Sequence, residues 1–200
     1  MNLQEYEKVK NFTYIEYCDY LQMKYGIGLC NYMTPNWNKI PRISRTKEGL
    51  FVHHKYEDHA ILLSNKRFAS LNPFEWQHAE NMIYCDYLEH LFLHILIYEN
   101  PAKNKNMLEA VGVGGIFIIV STLNDFYSGW NTEKLEWMRI CLNKISNDKK
   151  VYLTLLKRFK NSYKNHRKYT DDCLLRSANA QLGTWEYDNN KELFDEIAKL

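Results

Sequence analysis

Five polar side chains carry the chemistry open to this chain: His53 and His54 side by side, then Asn81, then His90 and His94. His90 and His94 stand four residues apart, so on a helix both imidazoles leave the same face. Nitrogens at that spacing reach a single cation, and His53 brings a third from elsewhere in the chain. Three imidazoles with a position left open describe a catalytic metal site better than a closed structural one. On a strand, the neighbour of a ligand points the other way, which leaves His54 free to act as a base. The cofactor implied is one divalent ion, Mg2+, Zn2+, Ni2+ or Mn2+. A three-imidazole set binds Zn2+ or Ni2+ more tightly than Mg2+.

These residues need two short strands and a helix to position them. Gly49-Leu50-Phe51-Val52-His53 is a β-type run entered through a glycine, and Asn81-Met82-Ile83-Tyr84 reads as a second. Asp86 with Glu89 three residues later makes a capping-box start, so the pattern predicts a helix from Tyr87 to about Tyr98. Leu88, Leu91, Ile95 and Tyr98 give that helix an apolar face, and Asn100-Pro101 ends it. Upstream, Val9, Phe12, Ile15, Cys18, Leu21 and Tyr25 recur at helical spacing over residues 3–25, and Gly26 and Gly28 stop the run. Residues 29–48 read as an extended basic loop. Residues 55–80 are mostly polar, with short helical turns near 62–70 and 73–80. Beyond residue 100 the pattern predicts helices over 106–123, about 132–145, 149–163, 171–181 and 186–199. Breaks fall at Asn124-Asp125, Ser128-Gly129 and Gly183.

The expected fold class is therefore α+β and mostly helical. A small ββα-metal core of two short antiparallel strands and a helix is embedded between N-terminal and C-terminal helices. The corresponding segments are 1–43, 44–98 and 99–200.

The stretch from Asn81 through His90 to His94 has the N-x8-H-x3-H spacing of the HNH endonuclease family, and it is preceded by the His53-His54 pair. The chain resembles the colicin-type and phage-type members over roughly residues 44–98. The resemblance implies His53, His90 and His94 as metal ligands and His54 as the general base that activates water. It implies that Asn81 hydrogen-bonds across the loop to hold the backbone and ring of His54. It further implies hydrolysis of DNA phosphodiester bonds, with one metal ion stabilising the phosphate and the leaving 3′ oxygen. Arg42, Arg45 and Lys47, just ahead of the first strand, are candidate nucleic-acid contacts. The residues do not separate DNA from RNA. One site per chain nicks one strand, so double-strand cleavage would call for a homodimer. The chain lacks the two CxxC pairs that brace many members. The competing reading is a non-catalytic nucleic-acid-binding protein with a structural three-His metal site.

Composition bounds the remainder. Two hundred residues, 46% apolar and 14% aromatic, are enough for one domain with a substantial core. Val111–Val120 is the most apolar run, but three glycines and Ser121 make it buried core rather than a membrane span. The first ten residues lack an apolar signal region, and the five cysteines form no CxxC pair. The expectation is a reduced, cytoplasmic protein without a membrane partner. Net charge is only +2, yet residues 149–168 hold eight Lys or Arg and no carboxylate. That run is either a solvated helix face or a phosphate-tracking surface. His59, His78 and His166 read as satisfied polar residues, and Phe117–Val120 with Leu123 as core. Asn124, Asp125 and Tyr127 read as a capped break between helices. Glu57 and Asp58 read as a loop turn, with support of an imidazole as the other option.

Overall fold

The computed structural model describes residues 1–106, 110–129, 135–164, 169–178 and 187–200. His166, Arg167, Lys168 and Gly183 lie outside the described residues, as do parts of the helices expected over 106–123, 132–145, 171–181 and 186–199.

The architecture is α+β and mostly helical. The chain opens with α1 (Leu3–Val9) and α2 (Tyr14–Tyr25). A two-stranded antiparallel sheet follows, made of β1 (Phe51–His54) and β2 (Met82–Cys85). Between the strands lie short 3-10 turns and α3 (Lys66–Ala69). Then come α4 (Tyr87–Glu99), α5 (Val113–Tyr127), α6 (Glu136–Asn143), α7 (Lys149–Tyr163) and α8 (Tyr187–Ala198). No helix among the described residues is long and apolar enough to cross a membrane.

The single N-terminal helix expected over 3–25 is two helices. Thr13 restarts the chain with a reciprocal cap: its hydroxyl accepts from the Glu16 amide at 3.3 Å while the Glu16 carboxylate accepts from the Thr13 amide at 2.8 Å. Val9 before the break and Cys18 and Leu21 after it are buried, so the periodicity carries through and does not reveal the break, although Ile15 in the same run is exposed. The capping box foreseen for α4 is present, with the Glu89 amide donating to Asp86 at 2.8 Å and the Asp86 amide to Glu89 at 2.7 Å.

Helix α4 is apolar almost all round and lies at the centre of the molecule, against α2, α5 and α7. Its residues join a continuous core that reaches from Tyr6 and Leu21 to Val120, Leu156 and Phe159. Helix α5 runs past the break expected at Asn124-Asp125. Asn124 is fully buried; its amide donates to the Leu174 and Arg176 carbonyls, and its carbonyl accepts from Tyr152. These partners arrive from distant segments and satisfy a polar residue that local rules assign to a cap. Ile118, expected in the core, is exposed at 67%.

The sheet register pairs His53 with Ile83 and His54 with Met82. Alternation therefore puts Phe51 and His53 on the face toward α4, and His54 on the opposite face. That opposite face is a second packed cluster containing Tyr32, Ile43, Leu50, Met82 and Tyr84.

Candidate metal centre

His53 at the end of β1, Glu57 on the 3-10 turn after it, and His90 and His94 on α4 converge. Each offers one ligand atom, and all four atoms lie within 4.8 Å of one another. The Nε2 atoms of His90 and His94 are 3.1 Å apart, and Glu57 Oε2 is 3.7 Å from His94 Nε2 and 3.4 Å from His53 Nδ1. The three expected imidazoles are thus brought together on the expected elements. The carboxylate is the addition. Glu57 stands four residues after His53, and the Lys55–Asp58 turn swings it back under the strand end. Asp58 instead pairs with His59 at 2.6 Å.

The site fits a divalent cation. The Tyr14 hydroxyl contacts His53 Nε2 at 2.9 Å and the Lys55 carbonyl at 2.9 Å. The carbonyl can only accept, so the hydroxyl hydrogen goes there and His53 Nε2–H donates to the Tyr14 oxygen. Nδ1 is then a bare lone pair facing the cluster, and it is buried with no hydrogen-bond partner. A fixed outer hydrogen bond of this kind sets tautomer and ring angle in metal-binding histidines. Burial pushes His53 down to about 3 and also pushes His90 and His94 below the usual imidazole range. All three are therefore neutral at pH 7. Burial alone would push Glu57 up, but in acid, once the imidazoles take up protons, their charge, His53 foremost, holds it below the usual carboxylate range, so it is ionised at pH 7. Three neutral nitrogens, with the Glu57 carboxylate beside them, suit Zn2+ or a similar ion.

Helix α5 closes over this cluster through glycine. A Cβ on Gly115 would lie 2.4 Å from His94 Cε1 and Nε2, so the imidazole rests directly on the helix backbone. Gly112, at φ 83°, would likewise press a Cβ to within 2.8 Å of the His94 carbonyl. A glycine inside an apolar helical run is the sequence signal for such an approach. Beside the cluster is a cavity of about 520 Å3 whose walls include Glu57, His90, His94, Ile61, Val113 and Ile119. It leaves room for a further group next to His90, His94 and Glu57.

His54 departs from expectation. Its ring is fully buried rather than open to a cleft, set edge-on to Tyr32 at 4.5 Å between ring centres. The Gln77 carboxamide carbonyl accepts from His54 Nε2 at 3.2 Å, and Gln77 itself is oriented by donating to the Leu63 carbonyl at 3.2 Å. His54 Nδ1 is buried without a hydrogen bond and lies 3.6 Å from Glu57 Oε1. Glu57 therefore stands between His54 and the cluster.

Asn81 is a second correction. It ends a 3-10 turn before β2 and its amide donates to the Glu75 carbonyl at 2.7 Å. The residue that holds the His54 ring is Gln77, four positions earlier, because the turn at 74–77 rather than the strand entrance passes under β1. Nothing local marks Gln77 or Tyr14; each reaches its histidine through tertiary packing.

Among the candidate nucleic-acid contacts, Arg42 and Lys47 are exposed. Arg45 is occupied: it pairs with Glu48, donates to the Tyr25 carbonyl at 2.6 Å and lies over the Tyr84 ring. The basic run on α7 is partly neutralised within the fold, through Lys149–Glu196, Arg158–Glu99 and Lys160–Asp171. No family model, curated protein or solved structure matches the chain.

Proposed function

We propose that the chain is a metal-dependent nuclease of HNH type that hydrolyses DNA phosphodiester bonds at the His53, His90 and His94 cluster. One observation carries the reading: a strand–strand–helix unit delivers three imidazoles and a carboxylate to a single point beside a cavity. A divalent cation held by the three imidazoles supplies Lewis-acid stabilisation of phosphate and leaving-group charge. Glu57 Oε2 lies at the cluster and takes the proton of the attacking water. The carboxyl group then turns to present that proton to His54 Nδ1, which lies 3.6 Å from the Oε1 position, so His54 acts as a base at one remove. Gln77 fixes the His54 ring for this transfer, and Tyr14 fixes His53.

The burial of His54 and the largely apolar walls of the cavity favour a second reading, in which the metal only braces a non-catalytic nucleic-acid-binding module. Supercoiled plasmid cleavage separates the two. Protein stripped with EDTA is supplied in turn with Mg2+, Mn2+, Ni2+ and Zn2+, and an RNA substrate forms a parallel arm. Nuclease function requires metal-dependent nicking that falls roughly 10²–10⁴-fold in His54→Ala and Glu57→Gln, the usual contribution of positioned acid–base groups. His90→Ala should lose metal binding as well. Linear product would point to paired copies of the chain. Absence of cleavage with every ion and both polymers, together with unfolding on chelation, would establish the bracing role.

A further inference from the structure

Next to the metal-side cavity is a second one, of about 360 Å3, with a different chemistry. Val52 and Ser64 line both, so the two cavities share a wall along β1. The second cavity presents Lys39, Ser44, Thr46 and Ser64 together with the Phe51 and Trp137 side chains. Its volume lies in the ordinary range of small-ligand sites, about 300–1,000 Å3. Phe51 ties the two regions together: its ring is stacked near His90 at 6.0 Å and meets Trp137 edge-on at 6.1 Å. Trp137 is 38% exposed. It is held in place because α6 packs on the 46–48 turn, where Lys144 Nζ donates to the Glu48 carbonyl at 3.1 Å. Lys39 is exposed, makes no ion pair among the described residues, and carries its ammonium 5.0 Å from the centre of the Tyr32 ring. Aromatic faces, a free cation and hydroxyl donors are what an unpaired nucleotide needs, for its base and its phosphate respectively.

We propose that this second cavity is a subsite for an unpaired nucleotide of the strand that enters the metal centre, with the base stacked on Trp137, the Phe51 ring against the edge of that stack, and the adjoining phosphate on Lys39. The inference rests on the nuclease reading for its substrate class and goes beyond it by naming the form of substrate. The strand is single or locally unpaired, because a paired base cannot offer its face to Trp137. Of the three cations expected to meet phosphate ahead of β1, Arg45 is spent on Glu48 and Tyr25, and Arg42 and Lys47 are exposed but do not line this cavity. Lys39 takes that role from the far side of the loop.

The test is binding by the metal-loaded protein to oligonucleotides with phosphorothioate linkages, which resist hydrolysis. Fluorescence anisotropy is measured with labelled 12-nucleotide single-stranded DNA and RNA and with a 12-base-pair duplex. The wild type should bind the single strands more tightly than the duplex. Trp137→Leu should weaken single-strand binding by about fivefold or more, the lower end of a lost base–aromatic stack, with Trp137→Phe restoring much of it. Lys39→Gln, at an exposed position whose ammonium makes no ion pair among the described residues, should lower the slope of log affinity against log salt by about 0.7. Wild-type binding by both Trp137→Leu and Lys39→Gln, tighter binding of duplex, or no binding at all would overturn the subsite. Plasmid cleavage reads the other question independently. Cleavage with unaltered variant binding removes the subsite and keeps the nuclease, and variant-sensitive binding without cleavage does the reverse.

Discussion

The contact between His94 and Gly115 gives the sharpest test of the metal centre. Gly115→Ala would set a methyl group 2.4 Å from two atoms of the His94 ring. Ordinary carbon contacts lie at about 3.5–4.0 Å, so the ring must retreat by more than 1 Å. Metal–ligand distances tolerate only about 0.2 Å, so a shift of that size takes His94 out of bonding position. Affinity for Zn2+ or Ni2+ should fall roughly 10–100-fold, the loss typical when the support of a ligand is removed. The fold itself should survive. Crowding costs about 1–3 kcal/mol, and replacing a helical glycine returns up to about 1 kcal/mol. Gly114→Ala is the matched control, because a Cβ there meets nothing within 4 Å and should leave metal affinity unchanged. The assay is isothermal titration calorimetry on EDTA-stripped protein, with a thermal melt of each variant. Wild-type metal affinity in Gly115→Ala would refute the assignment of His94 as a ligand.

Three further outcomes follow from the same geometry. Tyr14→Phe leaves His53 Nε2–H buried without an acceptor; it should cost about 1–3 kcal/mol of stability and reduce the rise in melting temperature on metal addition, and an unchanged metal-induced rise would contradict the role given to Tyr14. Gln77→Leu should lower cleavage as strongly as His54→Ala while Asn81→Ala leaves it near wild type; the opposite ranking would restore Asn81 to the site. Burial holds His53 at about 3 in the folded chain. Its unfolded value is about 6.5, so between these values the unfolded chain carries a proton that the folded chain does not. Metal-free protein should therefore lose about 1.4 kcal/mol per pH unit through this imidazole alone as pH falls below about 6.5, measured by urea unfolding. His53→Gln should flatten that dependence, and an acid-stabilised wild type would reverse the sign.

The positions of His53, His90 and His94 were legible in the sequence because local periodicity fixes them. A two-residue alternation decides which strand residue faces α4, and a four-residue interval puts both helical imidazoles on one side. The capping box of α4 and the mostly helical α+β class follow from equally local rules. The partners of those residues were not legible. Periodicity says that His54 points away from His53, but not that the far side of the sheet is filled by Tyr32, Gln77 and their cluster rather than by water. Glu57 looked like half of an acidic turn. It is half of an acidic turn, yet the turn curls under β1 and delivers the carboxylate to the cluster. Tyr14, Gln77 and Gly115 stand 39, 23 and 21 positions from the histidines they support. Such pairings depend on how helices and loops pack, and no local propensity encodes them. The same holds for Arg45, basic in sequence but committed to Glu48 and Tyr25. Composition and spacing determined that this chain carries imidazoles on a strand and a helix that fold to one place. Only tertiary packing decided which carboxylate joins them, which ring is sealed from solvent and which cation remains free, because those outcomes are contacts between segments far apart in the chain.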